Sequence, residues 1–164
     1  MKAKILILIV FPILFSCVSN KENPPNIILI MADDMGYGDI SCFGSEFIQT
    51  PVLDKMASEG IKFTDYHSNG AVCTPTRAAL MTGNYQQRAG LEGVIYAALD
   101  KRMFGIQDSE KTIAEIFKDA GYSTGIFGKW HLGYQPEYNP VHHGFDEFYG
   151  YVSGNVDFIS HRDG

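Results

Sequence analysis

The stretch "CTPTR", residues 73–77, combines a lone cysteine, a proline that suits the start of a helix, and an arginine four residues after the cysteine. Thr74 fits the N-cap and Pro75 the first helical position. Free N–H groups and the helix dipole favour an anion at such a terminus. Arg77 opposes the dipole there, which suggests a bound negative partner, whereas the alternative is that Cys73 is a buried, inert thiol.

Two adjacent carboxylates, Asp33 and Asp34, follow an apolar run. At ~4 Å and an effective dielectric near 20 their repulsion would be roughly 4 kcal/mol, which a divalent cation would relieve. Oxygen-only ligands favour Ca²⁺ or Mg²⁺ over zinc. In the alternative, one carboxylate caps a turn and the other faces water. Asp39, in "GYGD", is interpreted as structural.

A third candidate element is "GKWHLG", residues 128–133. In an extended segment Lys129 and His131 point to one face, while Trp130 turns the other way toward packing. The pattern would pair a fixed cation with a proton donor. A surface lysine and a hydrogen-bonded core histidine explain the same letters, so the pattern alone is weak.

Alternating strands and helices must position these residues. The spacing predicts helices that begin after Thr50 and at Ser109 and end at Gly60 and Gly121, and a helix after Thr74 that ends at Gly83. Their apolar faces would be Leu53, Met56 and Ala57 in the first, and Ile113, Ile116, Phe117 and Ala120 in the second.

Apolar or β-prone runs predict strands at residues 26–32, 61–66 and 122–128, and the first should be central and covered on both faces. Residues 84–108 and 134–150 read as long loops. The order indicates an α/β fold with a largely parallel sheet, in which ligands lie beyond the carboxyl ends of strands.

Ser123 lies in a G-x-S-x-G pattern, which serine hydrolases place between a strand and a following helix. Here the predicted order is helix and then strand, which argues against a nucleophilic serine.

Composition describes a folded chain: 164 residues, 45% hydrophobic and 20% charged. The net charge of −6 argues against a nucleic-acid partner, which would need clustered Lys and Arg. Three cysteines without CxxC spacing indicate neither a zinc site nor a disulfide framework, although a single Cys42–Cys73 bridge stays open.

The N-terminus predicts export. Lys2 and Lys4 precede an apolar run, residues 5–15, that is shorter than the about 20 residues of a membrane span and fits a secretory signal. The residues up to Cys17 resemble a bacterial lipobox, with Phe15 where a small residue is usual. We expect a signal peptide at 1–16, lipidation of Cys17, a polar tether at 17–25 and a folded part at 26–164; an ordinary signal or an uncleaved anchor are the alternatives.

Four motifs together resemble the type I sulfatases. "CTPTR" with "AALMTG" looks like their first signature and "GYSTGIFGKWHLG", residues 121–133, like their second. "NIILIMADDMGYGD", residues 26–39, and "HHGFDEFYGY", residues 142–151, recur in such proteins. The resemblance implies the N-terminal part of an alkaline-phosphatase-like α/β domain, a mostly parallel sheet flanked by helices.

The resemblance also implies a mechanism. Cys73 would be oxidised to Cα-formylglycine (3-oxoalanine) by a formylglycine-generating enzyme, and the aldehyde would hydrate to a gem-diol. One hydroxyl would attack sulfur and expel the alcohol; the other, once deprotonated, would release sulfate. Asp33, Asp34 and the modified Cys73 would bind Ca²⁺, with Mg²⁺ as an alternative. By the same carry-over, Arg77 would steady the diolate, Lys129 would bind sulfate and His131 would assist breakdown of the diol.

The implied substrate is an aryl or carbohydrate sulfate, met in the periplasm or at the surface of a bacterium through a lipid anchor. The family's Asp-Asn pair, second Lys and second His find no match in residues 1–164, which leaves the activity of these residues alone in doubt. The alternatives are a phosphonate or phosphodiester hydrolase with the same nucleophile, and an inactive surface lipoprotein that binds sulfated glycans.

Overall fold

A computed structural model of the protein describes residues 24–98, 100, 102–157 and 159–160. The chain divides into two units, Met1–Ala32 and Asp33–Gly164. All helices and strands of the described part lie in the second unit. The predicted signal peptide and Cys17 fall outside the described residues, so their assignment stays a prediction.

Three α-helices form in the second unit: α1 at Pro51–Glu59, α2 at Cys73–Thr82 and α3 at Ile113–Asp119. Short 3₁₀ helices lie at Tyr37–Asp39, Ser41–Phe43, Pro136–Tyr138 and Pro140–His142. The predicted bounds of α1 are confirmed, because Pro51 suits the first turn and the N–H of Gly60 closes the last turn on the carbonyl of Met56. Its apolar residues Leu53 and Met56, expected to be covered, are exposed.

Helix α2 begins earlier than predicted. Cys73 is already its first residue and Val72 is the N-cap, so the prediction that Thr74 caps the helix is wrong. The reason is that the Thr74 side chain is fully buried and bonded elsewhere. The predicted end is confirmed: Gly83 adopts the left-handed conformation, with φ 67°, and its N–H bonds the carbonyl of Ala79.

Helix α3 begins later than predicted, at Ile113 instead of Ser109. Thr112 and Glu115 form a capping box, in which the Thr112 hydroxyl accepts from the Glu115 N–H and the Glu115 carboxylate accepts from the Thr112 N–H. This reciprocal pair satisfies two orphan donors and sets the start. The predicted stripe is only partly covered, since Ile113 and Phe117 are half-buried while Ile116 and Ala120 are exposed.

Two parallel strands form the sheet, β1 at Gly125–Lys129 and β2 at Glu147–Tyr151. Their register pairs Gly125 with Glu147 and Lys129 with Tyr151. The expected parallel α/β character is confirmed, with β1 three residues later than predicted. Strand β2 corrects the expectation of a loop over 134–150; the three aromatic residues in "EFYGY" are the signal for a strand.

Two predicted strands, at 26–32 and 61–66, are not present among the described residues. A strand requires a neighbour that pairs with its N–H and C=O groups, and the structure pairs neither run. The run 26–32 is exposed, so the expectation of a central strand covered on both faces is wrong for this structure.

The core of the second unit forms where α2, α3 and the residues after β1 meet. Trp130 and Leu132 lie at its centre, and the Trp130 indole N–H donates to the carbonyl of Tyr138 at 2.7 Å. The predicted inward turn of Trp130 is thus confirmed. The other buried apolar members are Ala78, Ala89, Leu91, Ile95, Ile106, Ala114 and Phe145.

Two further predictions are tested by the structure. Ser123 lies between α3 and β1, in the helix-then-strand order that argues against a serine nucleophile. Cys42 and Cys73 are both free, so the bridge between them is not formed. Within the described ranges, the structure contains no helix whose length and apolar character would suit a membrane crossing.

Candidate active site

Cys73 and Lys129 meet at the carboxyl end of β1. Cys73 is the first residue of α2 and partly exposed, and Lys129 is the last residue of β1. The Lys129 Nζ donates to Cys73 Sγ at 3.1 Å and to Asp33 Oδ2 at 2.7 Å. One ammonium group therefore joins the cysteine and the first of the two predicted carboxylates, as expected for the ligand-binding edge of a parallel sheet.

Arg77 brings a second cation to the same place. Its Nη1 donates to the backbone carbonyl of Lys129 at 2.7 Å, and its Nη2 lies 3.8 Å from Asp33 Oδ2. Its side chain is 11% exposed and that of Lys129 is 8% exposed, whereas Asp33 is 41% exposed. The Nε of Arg77 is buried without a partner among the described residues. The arginine thus ties α2 to the end of β1 and keeps donor capacity unused.

The charges in this cluster shift one another's pKa values. Burial alone would raise the pKa of Asp33, but the hydrogen bond and charge of Lys129, with the charge of Arg77, hold it below its usual value. Burial alone would lower the pKa of Lys129, but its bonds to Asp33 and Cys73 outweigh that effect and raise it. Lys129 therefore stays cationic and Asp33 anionic at neutral pH.

Asp34 is exposed and has a left-handed backbone, with φ 56°. Aspartate adopts this conformation more readily than most residues other than glycine. Asp39, interpreted as structural, accepts from the N–H of Gly36 at 2.7 Å. Asp33 and Asp34 offer the oxygen donors that a hard cation prefers. In the described part of the chain, no group of three or more His, Cys, Asp or Glu side chains is arranged to hold a metal.

His131 lies just beyond β1 with φ 57°, so the chain is not extended there as the sequence pattern assumed. The residue is 3% exposed, and its Nε2 lies 2.8 Å from the carbonyl oxygen of Ile95. Its Nδ1 is buried and has no partner among the described residues. Burial lowers the pKa of His131 and, against the bond to Ile95, the charges of Lys129 and Arg77 lower it further. The ring is therefore neutral at pH 7.

Sequence reasoning missed two residues beside this site. Thr74 was interpreted as a helix cap, yet its hydroxyl lies 3.1 Å from the carbonyl of His131 and 3.2 Å from the N–H of Ile95. Ile95 contributes only backbone groups, for which no pattern of side chains could have been a signal. For Thr74 the sequence offered one signal, its position between the candidate nucleophile Cys73 and Pro75.

The structure brings Cys73, Arg77, Lys129 and Asp33 together through direct contacts. His131 joins the cluster through charge, because Lys129 and Arg77 shift its pKa. Two largely buried cations beside a helix N-terminus, with Asp33 offsetting one positive charge, suit an oxygen-rich anion. The arrangement can hold such an anion against a group at position 73.

Comparison with known proteins identifies relatives. The family model described as Sulfatase matches residues 25–163. N-acetylgalactosamine-6-sulfatase of Homo sapiens is 43% identical over 137 residues, 80% of this chain and 26% of that protein. Steryl-sulfatase of Homo sapiens is 42% identical over 166 residues, 94% of this chain and 28% of that protein.

A similar solved structure is Ps i-CgsB in complex with k-i-k-neocarrahexaose. Its TM-score is 0.77 and its identity 39%, over 82% of this chain and 30% of that chain. The chain thus spans between 26% and 30% of the length of these three proteins.

Proposed function

Because the chain belongs to the sulfatase family, we propose that the gene product containing it hydrolyses a sulfate ester through a nucleophile derived from Cys73. The observation that carries the proposal is the position of Lys129, which contacts Cys73 and Asp33 at once. A cation held there would bind a sulfate oxygen while the sulfur faces the nucleophile. The hydrogen bond from Arg77 to the Lys129 carbonyl keeps this arrangement in place.

The two cationic side chains and the neutral histidine would have different roles in the reaction. Lys129 and Arg77 would offset the negative charge of the bound sulfate and of the nucleophile as it ionises. Both are more than four-fifths buried, so water weakens these interactions less than at an open surface. His131, neutral and with Nδ1 free of partners in the described part, would accept a proton during release of sulfate.

The proposed modification of Cys73 to formylglycine supplies a hydrated aldehyde, with one hydroxyl to attack sulfur and another to drive the later release of sulfate. A thiol has no second hydroxyl and offers no equivalent release. The half-buried position at the start of α2 places residue 73 where helix N–H groups favour negative charge. The motif "CTPTR" supports a formylglycine-generating enzyme as the partner that modifies it.

Asp33 and Asp34 fit a Ca²⁺ ion in the chemistry of their donors, with Mg²⁺ as the alternative. They and the modified Cys73 would hold the ion, and the ion would polarise the sulfate oxygens. Two carboxylates do not complete the six to eight oxygen ligands usual for Ca²⁺. Further ligands are therefore part of the proposal and not of the described residues.

For the substrate we propose a carbohydrate sulfate. One of the two human relatives is named for a sulfated amino sugar, and the similar solved structure holds k-i-k-neocarrahexaose. The other relative is named for steryl sulfate, which makes an apolar alcohol the alternative leaving group.

The proposed setting is the periplasm or outer surface of a bacterium, reached through the signal at 1–16 and lipidated Cys17. Loss of membrane association in a Cys17→Ser variant would test the anchor.

The function is tested with the complete gene product, expressed in a host that modifies other sulfatases. Mass spectrometry of the peptide that carries Cys73 should show the aldehyde in place of the thiol. Aryl sulfate and aryl phosphonate esters are compared as substrates. Cys73→Ala should abolish turnover, while Cys42→Ala, which removes the other free thiol in the described range, should not.

Each other outcome has a definite meaning. A strong preference for the phosphonate would replace the sulfatase assignment with a phosphonate hydrolase. An unmodified Cys73 thiol, combined with binding of sulfated glycans without turnover, would support the inactive binding lipoprotein instead.

A further inference from the structure

Thr74 is buried completely, although threonine usually keeps its hydroxyl in water or at a helix end. Its Oγ1 lies 3.1 Å from the carbonyl oxygen of His131 and 3.2 Å from the backbone nitrogen of Ile95. The hydroxyl donates to the carbonyl and accepts from the N–H, so both of its directional capacities are used. A buried hydroxyl satisfied on both sides holds its two partners at a set distance.

A third bond closes a ring among the same residues. The Nε2 of His131 lies 2.8 Å from the carbonyl oxygen of Ile95, which can only accept. Thr74, Ile95 and His131 are thus joined pairwise, although they are 21, 36 and 57 residues apart along the chain. The ring links helix α2, the loop before α3 and the segment after β1.

The hydrogen bonds among Thr74, Ile95 and His131 determine which nitrogen of the His131 imidazole carries the proton. Because the Ile95 carbonyl accepts, Nε2 must hold the hydrogen in the neutral ring, which leaves a lone pair on Nδ1. Nδ1 has no partner among the described residues. The nitrogen available for proton transfer is therefore chosen by a backbone carbonyl and not by a side chain.

The backbone of His131 also needs support. Its φ of 57° lies in the left-handed region, which is unfavourable for a residue with a Cβ. The N–H of His131 donates to the carbonyl of Val152 at 3.2 Å, and the Thr74 hydroxyl binds its carbonyl. Both peptide groups around the strained residue are therefore fastened, one of them by Thr74.

We propose that Thr74 is a positioning residue, whose hydroxyl holds the Ile95 peptide and the His131 backbone so that His131 keeps its proton on Nε2 and presents Nδ1 as base. This inference deepens the proposed function and rests on it. The Thr74 hydroxyl bonds backbone groups of Ile95 and His131, so it acts through His131.

Two substitutions separate the hydroxyl from the shape of the side chain. Thr74→Val keeps the volume and removes the hydroxyl, whereas Thr74→Ser keeps the hydroxyl and removes a methyl group. If the hydroxyl positions His131, Val should lower kcat by about tenfold or more with little change in KM, and Ser should restore most of the activity. Thr82→Val is the matched control, because Thr82 lies in the same helix and its hydroxyl bonds the nearby backbone groups of Ala78 and Asn84.

A second measurement determines the tautomer of the His131 imidazole directly. In the complete gene product with ¹⁵N-labelled histidine, the His131 signals are assigned by their loss in His131→Asn. We expect the Nε2–H tautomer in the unchanged protein, in Thr74→Ser and in Thr82→Val. Thr74→Val should give a mixture of tautomers or the Nδ1–H form.

The outcomes decide between the hydroxyl and packing. An unchanged tautomer and unchanged kcat in Thr74→Val, or a larger loss in Ser than in Val, would overturn the proposal in favour of a packing role. So would an Nδ1–H tautomer in the unchanged protein. If the unchanged protein turns over no sulfate ester, the proposed function fails, but the tautomer measurement still decides what Thr74 does.

Discussion

Lys129 illustrates at the level of one residue how this site combines binding with burial. Its ammonium group is removed from water and is held by Asp33 at 2.7 Å and Cys73 at 3.1 Å. Burial of a cation is unfavourable unless partners compensate, and here they raise its pKa despite the burial. The free-energy cost of burying the Lys129 ammonium is thus offset by Asp33 and Cys73, the same groups that the proposed chemistry would use.

Lys129→Met should lower kcat/KM for a sulfate ester by about 10²-fold or more, because a preorganised cation at the reacting charge is removed. The methionine keeps much of the apolar stem, which limits loss of packing. Steady-state kinetics of the complete gene product measures the effect. Lys55→Met is the control, since the Lys55 side chain is 72% exposed and pairs with Glu59, one helical turn away. A change of less than threefold in Lys129→Met would show that the proposed sulfate contact is not made there.

At the level of elements, the close pairing of β1 and β2 determines where Lys129 lies. Gly128 and Gly150 face each other in the parallel register, and Gly128 has φ 109°. A Cβ added at Gly150 would overlap the carbonyl oxygen of Gly128. Both positions therefore require glycine, one for its backbone conformation and the other for the close approach of the partner strand.

Gly150→Ala should destabilise the protein by about 3 kcal/mol or more, because the overlap is with backbone that cannot move without breaking the strand pair. Chemical denaturation measures the loss. Activity should fall as well, since Lys129 follows Gly128 directly. Gly93→Ala serves as the control, as a Cβ there meets nothing within 4 Å. Equal stability of the two variants would contradict the described strand register.

At the level of the whole second unit, a buried histidine links folding to pH. His143 is 1% exposed, stacks on Trp130 at 6.2 Å and bonds the carbonyl of Glu137 at 3.2 Å. Burial lowers its pKa, against the bond to Glu137 and the charges of Asp108 and Glu115, which raise it. Protonation is therefore less favourable in the folded than in the unfolded protein.

The sign of the pH effect follows from this shift. The folded pKa lies below the unfolded value of about 6.5, so the stabilisation is complete above that pH and is lost as the pH falls toward the folded pKa. Tm should therefore decrease from pH 7 to pH 5, and His143→Gln should show a shallower decrease. The pKa of His131 is also lowered, so this histidine contributes the remaining part of the slope of Tm against pH in His143→Gln. An identical slope of Tm against pH in the unchanged protein and in His143→Gln would refute the linkage.

The helices were predictable where their ends are local. Pro51, Gly60 and Gly83 act through their own backbone preferences, and the structure confirms all three. The start of α3 was missed because Thr112 and Glu115 form a better capping box than Ser109 offers. Strands depend on partners far along the chain, so 26–32 and 61–66 were predicted from composition yet are unpaired, and β2 was overlooked.

For the site, the sequence by itself determined which chemical groups are available: a cysteine at a helix start, Arg77, Lys129, His131 and a pair of carboxylates. Those identities follow from side-chain type and from short-range spacing, which the chain encodes locally. Their assigned roles remain predictions.

Only the tertiary structure decided which groups meet. It placed Lys129 on Asp33 across 96 residues and turned Thr74 from an expected helix cap into a buried bridge between Ile95 and His131. The physical reason is that such contacts depend on the path of the whole backbone, including a strained turn at His131 and the close strand pair at Gly128. No local preference of a residue specifies that path, because burial and hydrogen-bond satisfaction are settled by neighbours distant in sequence.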